Sequence, residues 1–156
     1  MATSVPTPQT ATERRAAEAQ LRAFIDTIAP TQQRRTAALR KALRQRLPTA
    51  SEIVYAYADS VVISYAANER GYEGVLSVRV SADEIKLYFN PGKGLPDPEK
   101  LLKGSAKLVR WIPLESVATL RLSAVAALID AAIARSPTPF AKAGAGPVII
   151  RSKSAK

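Results

Sequence analysis

From Tyr72 to Asn90 the chain alternates apolar and polar residues with a period of two, and this constrains the fold more than any other stretch. Leu76, Val78 and Val80 share one side, and Glu73, Ser77 and Arg79 share the other. In the following run Ile85, Leu87 and Phe89 oppose Glu84, Lys86 and Tyr88, with Ser81-Ala82-Asp83 as a short hairpin between the two. Strands of this kind need cover on one side only, so the pattern predicts an antiparallel sheet with helices on one face. Two further strands are expected at Ile53 to Tyr57 and Val61 to Ala66, joined by Asp59-Ser60, and another at Lys107 to Ile112. Pro91-Gly92-Lys93-Gly94 and Leu95-Pro96-Asp97-Pro98 interrupt the sheet, because proline cannot continue a ladder and glycine permits positive φ. Asp97 can cap a short turn that Pro98 opens and Gly104 ends.

Helices account for most of the remainder. Ala17, Leu21, Phe24, Ile25 and Ile28 form one apolar face over about 12–28, with Thr12 as the expected N-cap and Pro30 as the stop. Glu18 stands four residues after Arg14 and four before Arg22, the spacing of surface ion pairs. Thr31 opens a second helix over about 31–47, where Leu39, Leu43 and Leu47 face inward. Arg34, Lys41 and Arg44 fall on the opposite side and Arg40 near its edge. A last helix opens at Leu114 or Ser116 and runs to about Arg135. Between Val117 and Ala134 it carries only Arg121 and Asp130 as charges, which suits a helix lying deep on the sheet and also a homodimer contact. The expected architecture is therefore α+β: an antiparallel sheet of about five strands with helices packed on one face. A disordered start over 1–11 precedes a single domain over 12–136. A basic, extended tail over 137–156 follows, in which Pro147 to Ile150 can add a short edge strand.

Composition narrows the chemistry. The 156 residues include no cysteine and no histidine. That excludes disulfides, thiol catalysis, structural zinc sites and imidazole as a base. An enzyme built from this sequence would have to use carboxylate, lysine, tyrosine or an all-oxygen metal site. No apolar run approaches the length of a membrane span, and the start lacks the pattern of a secretory signal, so a cytoplasmic protein without a membrane partner is expected. The net charge of +10 is unevenly spread: +6 over residues 1–50, zero over 51–136 and +4 over 137–156. This asymmetry favours an anionic ligand, a protein partner of acidic character, or nucleic acid held non-specifically.

No catalytic motif stands out. Gly92-Lys93-Gly94 lacks the G-x-x-x-x-G-K-[ST] spacing of a phosphate loop, and no calcium loop occurs. Asp83-Glu84 and Asp97/Glu99 sit in turns, where capping and solubility explain them. Tyr55, Tyr57, Tyr65, Tyr72, Tyr88 and Trp111 are distributed over the strands, where aromatics serve cross-strand packing or stacking on a flat ligand. The candidate anion contacts are Arg79, Lys93, Lys107 and Arg110, with Tyr72, Tyr88 and Trp111 as walls. No catalytic residue, metal ligand or cofactor is assigned.

The runs YAYADSVVISYAANERGYEGVLSVRV, KGLPDPEKLLKG and KLVRWIPL, with the ending GPVIIRSKSAK, resemble the YdhG-like family of bacterial domains of unknown function over about residues 32–156. The resemblance implies a frataxin-like α+β sandwich, and it implies iron delivery as one activity, since a branch of that family is regarded as an iron chaperone. Iron binding of the frataxin type rests on clustered carboxylates. Here Glu13, Glu18 and Asp26 are interleaved with Arg14, Arg15 and Arg22, which disfavours a hard cation. Ala106 stands where the family commonly has glycine. The leading expectation is a non-enzymatic binding or adaptor domain. Iron delivery and an enzyme using tyrosine or carboxylate chemistry are the alternatives.

Overall fold

A computed structural model describes residues 8–152. Its elements are α1 (Ala11–Ile28), a 3-10 turn Pro30–Gln32, α2 (Gln33–Arg46), β1 (Ser51–Ala56), β2 (Ser60–Ala66) and a 3-10 turn Gly71–Glu73. They continue with β3 (Leu76–Ser81), β4 (Ile85–Phe89), β5 (Arg110–Pro113), α3 (Val117–Arg121), α4 (Ser123–Ala134) and β6 (Val148–Ser152). The disordered start expected over 1–11 lies largely outside the described residues, as does the end of the basic tail.

The sheet has six strands in the order β5-β4-β3-β2-β1-β6. The first five pair antiparallel, as the alternation requires. β6 lies parallel to β1, pairing Glu52 with Val148 and Val54 with Ile150. β6 is the edge strand expected at Pro147 to Ile150, and its parallel pairing corrects the expectation of an antiparallel sheet of about five strands. Hairpins declare themselves locally through turn residues. A parallel neighbour arriving after a long connection has no such local mark. The stretch after α4 is accordingly anchored rather than loose. Thr49 Oγ1 donates to the Ala141 carbonyl at 2.7 Å, and the Gly146 N–H donates to Pro48 O at 3.0 Å. Outside β6, the Gln9 amide copies a strand edge, with Nε2 donating to Val148 O (2.8 Å) and Oε1 accepting from Val148 N–H (3.0 Å).

One row of side chains per strand builds the core. Val54, Val61, Ile63, Leu76, Val78, Val80, Ile85, Leu87, Phe89 and Ile112 meet Ala17, Leu21 and Ile25 of α1, Leu39 and Leu43 of α2, and Val125, Leu128 and Ile129 of α4. Each such side chain removed from water contributes roughly 1.5–3 kcal/mol, which is why the alternating pattern governs the fold. The α1 face was thus legible, but its cap was not. Thr10, rather than Thr12, caps α1, because only Thr10 has a glutamate three residues on. Thr10 Oγ1 accepts from Glu13 N–H (3.0 Å) while Glu13 Oε1 accepts from Thr10 N–H (2.9 Å). The last helix is two helices, broken at Leu122, which has extended backbone angles and is 56% exposed. Among the described residues, no helix is long and apolar enough to cross a membrane.

Candidate binding face on the open side of the sheet

Opposite the helices, the strand registers set out two cross-strand rows. The first runs through Val62, Arg79 and Lys86; the second through Ser64, Ser77, Tyr88 and Trp111. An isolated bridge pairs Lys103 with Trp111, so Lys103 extends the second row past the edge of β5. At the far end the turn Gly71–Glu73 covers β1 and β2, with Gly71 against the Tyr55 hydroxyl and Gly74 against Ser64 Oγ. What stays open is a shallow cleft of about 370 Å³ lined by Val62, Ser77, Arg79, Tyr88, Asn90 and Val109.

The side chains of this face are arranged unusually for a solvated sheet. Arg79 and Lys86 stand directly opposite each other on β3 and β4. Like charges in that position destabilise the pair by a few tenths of a kcal/mol. They are drawn apart: Arg79 Nη2 lies 3.5 Å from Asp59 Oδ2, and Lys86 Nζ lies 3.3 Å from Glu84 Oε2. Asp59 is 80% exposed, so its hold on Arg79 is heavily screened. Lys86 also sits 4.1 Å over the Trp111 ring, and Trp111 is tilted 38° to Tyr88 with centroids 6.5 Å apart. Half-buried aromatics beside weakly compensated cations can stack on a flat group and neutralise an anion together.

The fold gathers some of the sequence-derived candidates and separates the rest. Arg79, Tyr88 and Trp111 meet on this face. Arg110 pairs with Phe89, which places it on the opposite side of β5 from Trp111, and its guanidinium turns back to the carbonyls of Ala106 and Val109. Lys93 lies in the loop after β4, where its carbonyl accepts from Arg135 Nη1 at 3.1 Å. Lys107 is exposed in the approach to β5, and Tyr72 is 82% exposed on its 3-10 turn. Sequence reasoning passed over Lys86. The alternation had put Lys86 on the wet face. Lys103 depends on a bridge from a loop that no periodicity announces.

A second polar arrangement lies beneath α1 and α2. Glu52 occupies the apolar row of β1 yet is 1% exposed. Arg40 reaches it from α2, donating from Nε (3.0 Å) and Nη2 (2.8 Å), and donates to Glu18 of α1 from Nη1 (2.6 Å) and Nη2 (3.0 Å). The Tyr65 hydroxyl donates to Glu52 Oε2 at 2.7 Å. Burial works against the Arg40 charge, but the hydrogen bonds to Glu18 and Glu52 outweigh it and raise its pKa. The Arg40 hydrogen bond holds the Glu18 carboxyl below the usual carboxylate range, and burial followed by the Glu52 charge pushes the Tyr65 phenol well up. Buried charge survives only when paired and fully hydrogen-bonded. The signal in the sequence was an acid, Glu52, in register with inward-facing Val54 and Ala56. Glu18 does keep its pairing with Arg14, at 4.0 Å.

Among the described residues, no group of three or more histidines, cysteines, aspartates or glutamates is placed to hold a metal ion. Comparison with family models, with curated proteins and with solved structures finds no match to this chain.

Proposed function

We propose that the protein is a non-enzymatic binding module whose open sheet face takes an anion bearing a flat ring, in its polymeric form a single-stranded nucleic acid. The observation that carries this reading is the facing pair Arg79 and Lys86 beside the Tyr88–Trp111 pair. A bound phosphate would relieve the repulsion between the two cations, and a base would stack on the ring that Lys86 now covers, at roughly 1–3 kcal/mol per base. The charge of +10 supports it by drawing polyanions to the molecule. Readout here is sequence-tolerant, because a ring face and a cation do not distinguish base edges. Kinship to the YdhG-like domains belongs to the same proposal. It is supported by the quoted motifs and by an α+β sheet with helices on one face, and it says nothing of chemistry by itself. Iron delivery finds no support in a carboxylate cluster among the described residues, and Glu18 and Glu52 are engaged by Arg40.

Fluorescence anisotropy of a labelled oligothymidylate across a salt series tests the reading. Three cations on the face, Arg79, Lys86 and Lys103, predict a slope of log K against log salt of about −2 for a single strand. Arg79→Gln should lower that slope by about 0.7. Binding that is unchanged in Arg79→Gln and in Trp111→Ala would refute it.

A further inference from the structure

Along α2, Arg40, Lys41, Arg44 and Gln45 line a cleft of about 440 Å³ together with Gly144 and Ala145. No acid lines it. The two nearest carboxylates, Glu18 and Glu52, are both taken by Arg40. Arg44 is left with distances of 3.6 Å to Glu52 and 3.9 Å to Glu18, beyond hydrogen-bond reach. Lys41 is exposed and has no ion pair among the described residues. Beside the cleft, Arg14 spends Nη1 on the Gly146 carbonyl at 3.0 Å, while its Nη2 is buried with no hydrogen-bond partner among the described residues. Three guanidiniums, of Arg14, Arg40 and Arg44, thus share two carboxylates that Arg40 holds most closely, while Lys41 stands apart on the cleft wall. Burial first, and then the charge of Arg44, lower the Arg14 pKa, while Glu18 and Glu52 oppose the shift.

We propose that this cleft binds a phosphate-class oxyanion. Arg44 and Lys41 supply the charge, Gln45 supplies an amide donor, and Gly144 and Ala145 complete the lining. Gly144 suits that lining: its φ is +100°, which favours glycine, and nothing lies within 4 Å of where a Cβ would stand. An anion there would give Arg44 a closer partner than Glu52 at 3.6 Å and Glu18 at 3.9 Å. A planar guanidinium and a point ammonium together make a common phosphate-binding pair. The site is separate from the sheet face and does not depend on it.

Titration calorimetry with inorganic pyrophosphate, with the free ion as the only ligand, tests this. A nucleoside triphosphate at the same ionic strength forms a parallel arm and shows whether a phosphoryl group on a larger molecule is taken equally. Saturable binding of pyrophosphate is expected, at least tenfold weaker in Arg44→Gln and in Lys41→Gln and unchanged in Arg121→Gln, an exposed arginine outside both sites. Lys41→Gln touches neither Glu18 nor Glu52, so it keeps the test clean if Arg44→Gln disturbs folding. Heat that matches chloride at equal ionic strength would overturn the proposal. So would an isotherm that Lys41→Gln leaves unchanged, or one that Arg121→Gln abolishes.

Discussion

Replacing Arg40 with leucine would leave Glu52 buried under α2 with a single remaining hydrogen-bond donor, Tyr65, and Glu18 without its shortest contact. Breaking a buried pair from one side costs roughly 3–5 kcal/mol, and urea unfolding of Arg40→Leu should show a loss of that order. Lysine should not restore it, since one ammonium cannot fork to two carboxylates. The same network sets the response to pH. Glu18 titrates lower folded than unfolded, so its stabilisation is complete above the ordinary carboxylate pKa of 4.5 and is lost as pH falls through the folded value. Tyr65 titrates higher folded than unfolded. Its share is complete below its ordinary pKa of 10.0 and is lost as pH rises past it. Melting temperatures across pH should therefore fall at both ends, with the acid limb flattened in Glu18→Gln and the alkaline limb flattened in Tyr65→Phe. None of this was legible as a network. Spacing along a helix shows Glu18 facing Arg14, but whether α2 crosses above β1 depends on the tertiary fold.

Elements were legible to the extent that their signals are local. Period-two alternation located β3 and β4 and the side each residue faces, and the apolar stripe of α1 was read correctly because its i, i+4 repeat survives any tertiary arrangement. Boundaries fixed by side-chain reciprocity were missed. Thr10→Ala removes one half of the capping box and should cost about 1 kcal/mol, read as a shift in the urea midpoint. β6 is the clearest case of a non-local element. Gly146 delivers it by passing against the backbone carbonyl of Ala50, where a Cβ would overlap. Since the obstacle is backbone rather than a mobile side chain, Gly146→Ala should lower stability by about 1–3 kcal/mol. It should also speed hydrogen exchange at the Glu52 amide, which donates to Pro147 O at 2.9 Å. Unchanged exchange there would show that β6 is not held by this close approach.

Across the whole molecule, the charge sums by segment hid the arrangement that matters. Residues 51–136 total zero, which reads as an electrostatically quiet sheet. Folding sorts those charges by face and by edge: Arg79, Lys86 and Lys103 line the open side, while Asp97 is spent capping the backbone N–H groups of Leu101 and Leu102 at 2.9 Å each. Strand parity carries this sorting in part, and it correctly put Arg79 and Lys86 together. Arg110 differs because its parity is set by a β5 register that starts at Arg110 and makes Trp111 the outward residue. The proposed binding face thus rests on strand pairing rather than on net charge. Trp111 is the only tryptophan in the chain, so its emission reports on that face alone. Titrating the protein with oligothymidylate while following Trp111 fluorescence is the direct measurement. Saturable quenching that weakens with salt and is reduced in Arg79→Gln is the predicted result, and retention of the oligonucleotide with unaltered Trp111 emission would contradict it.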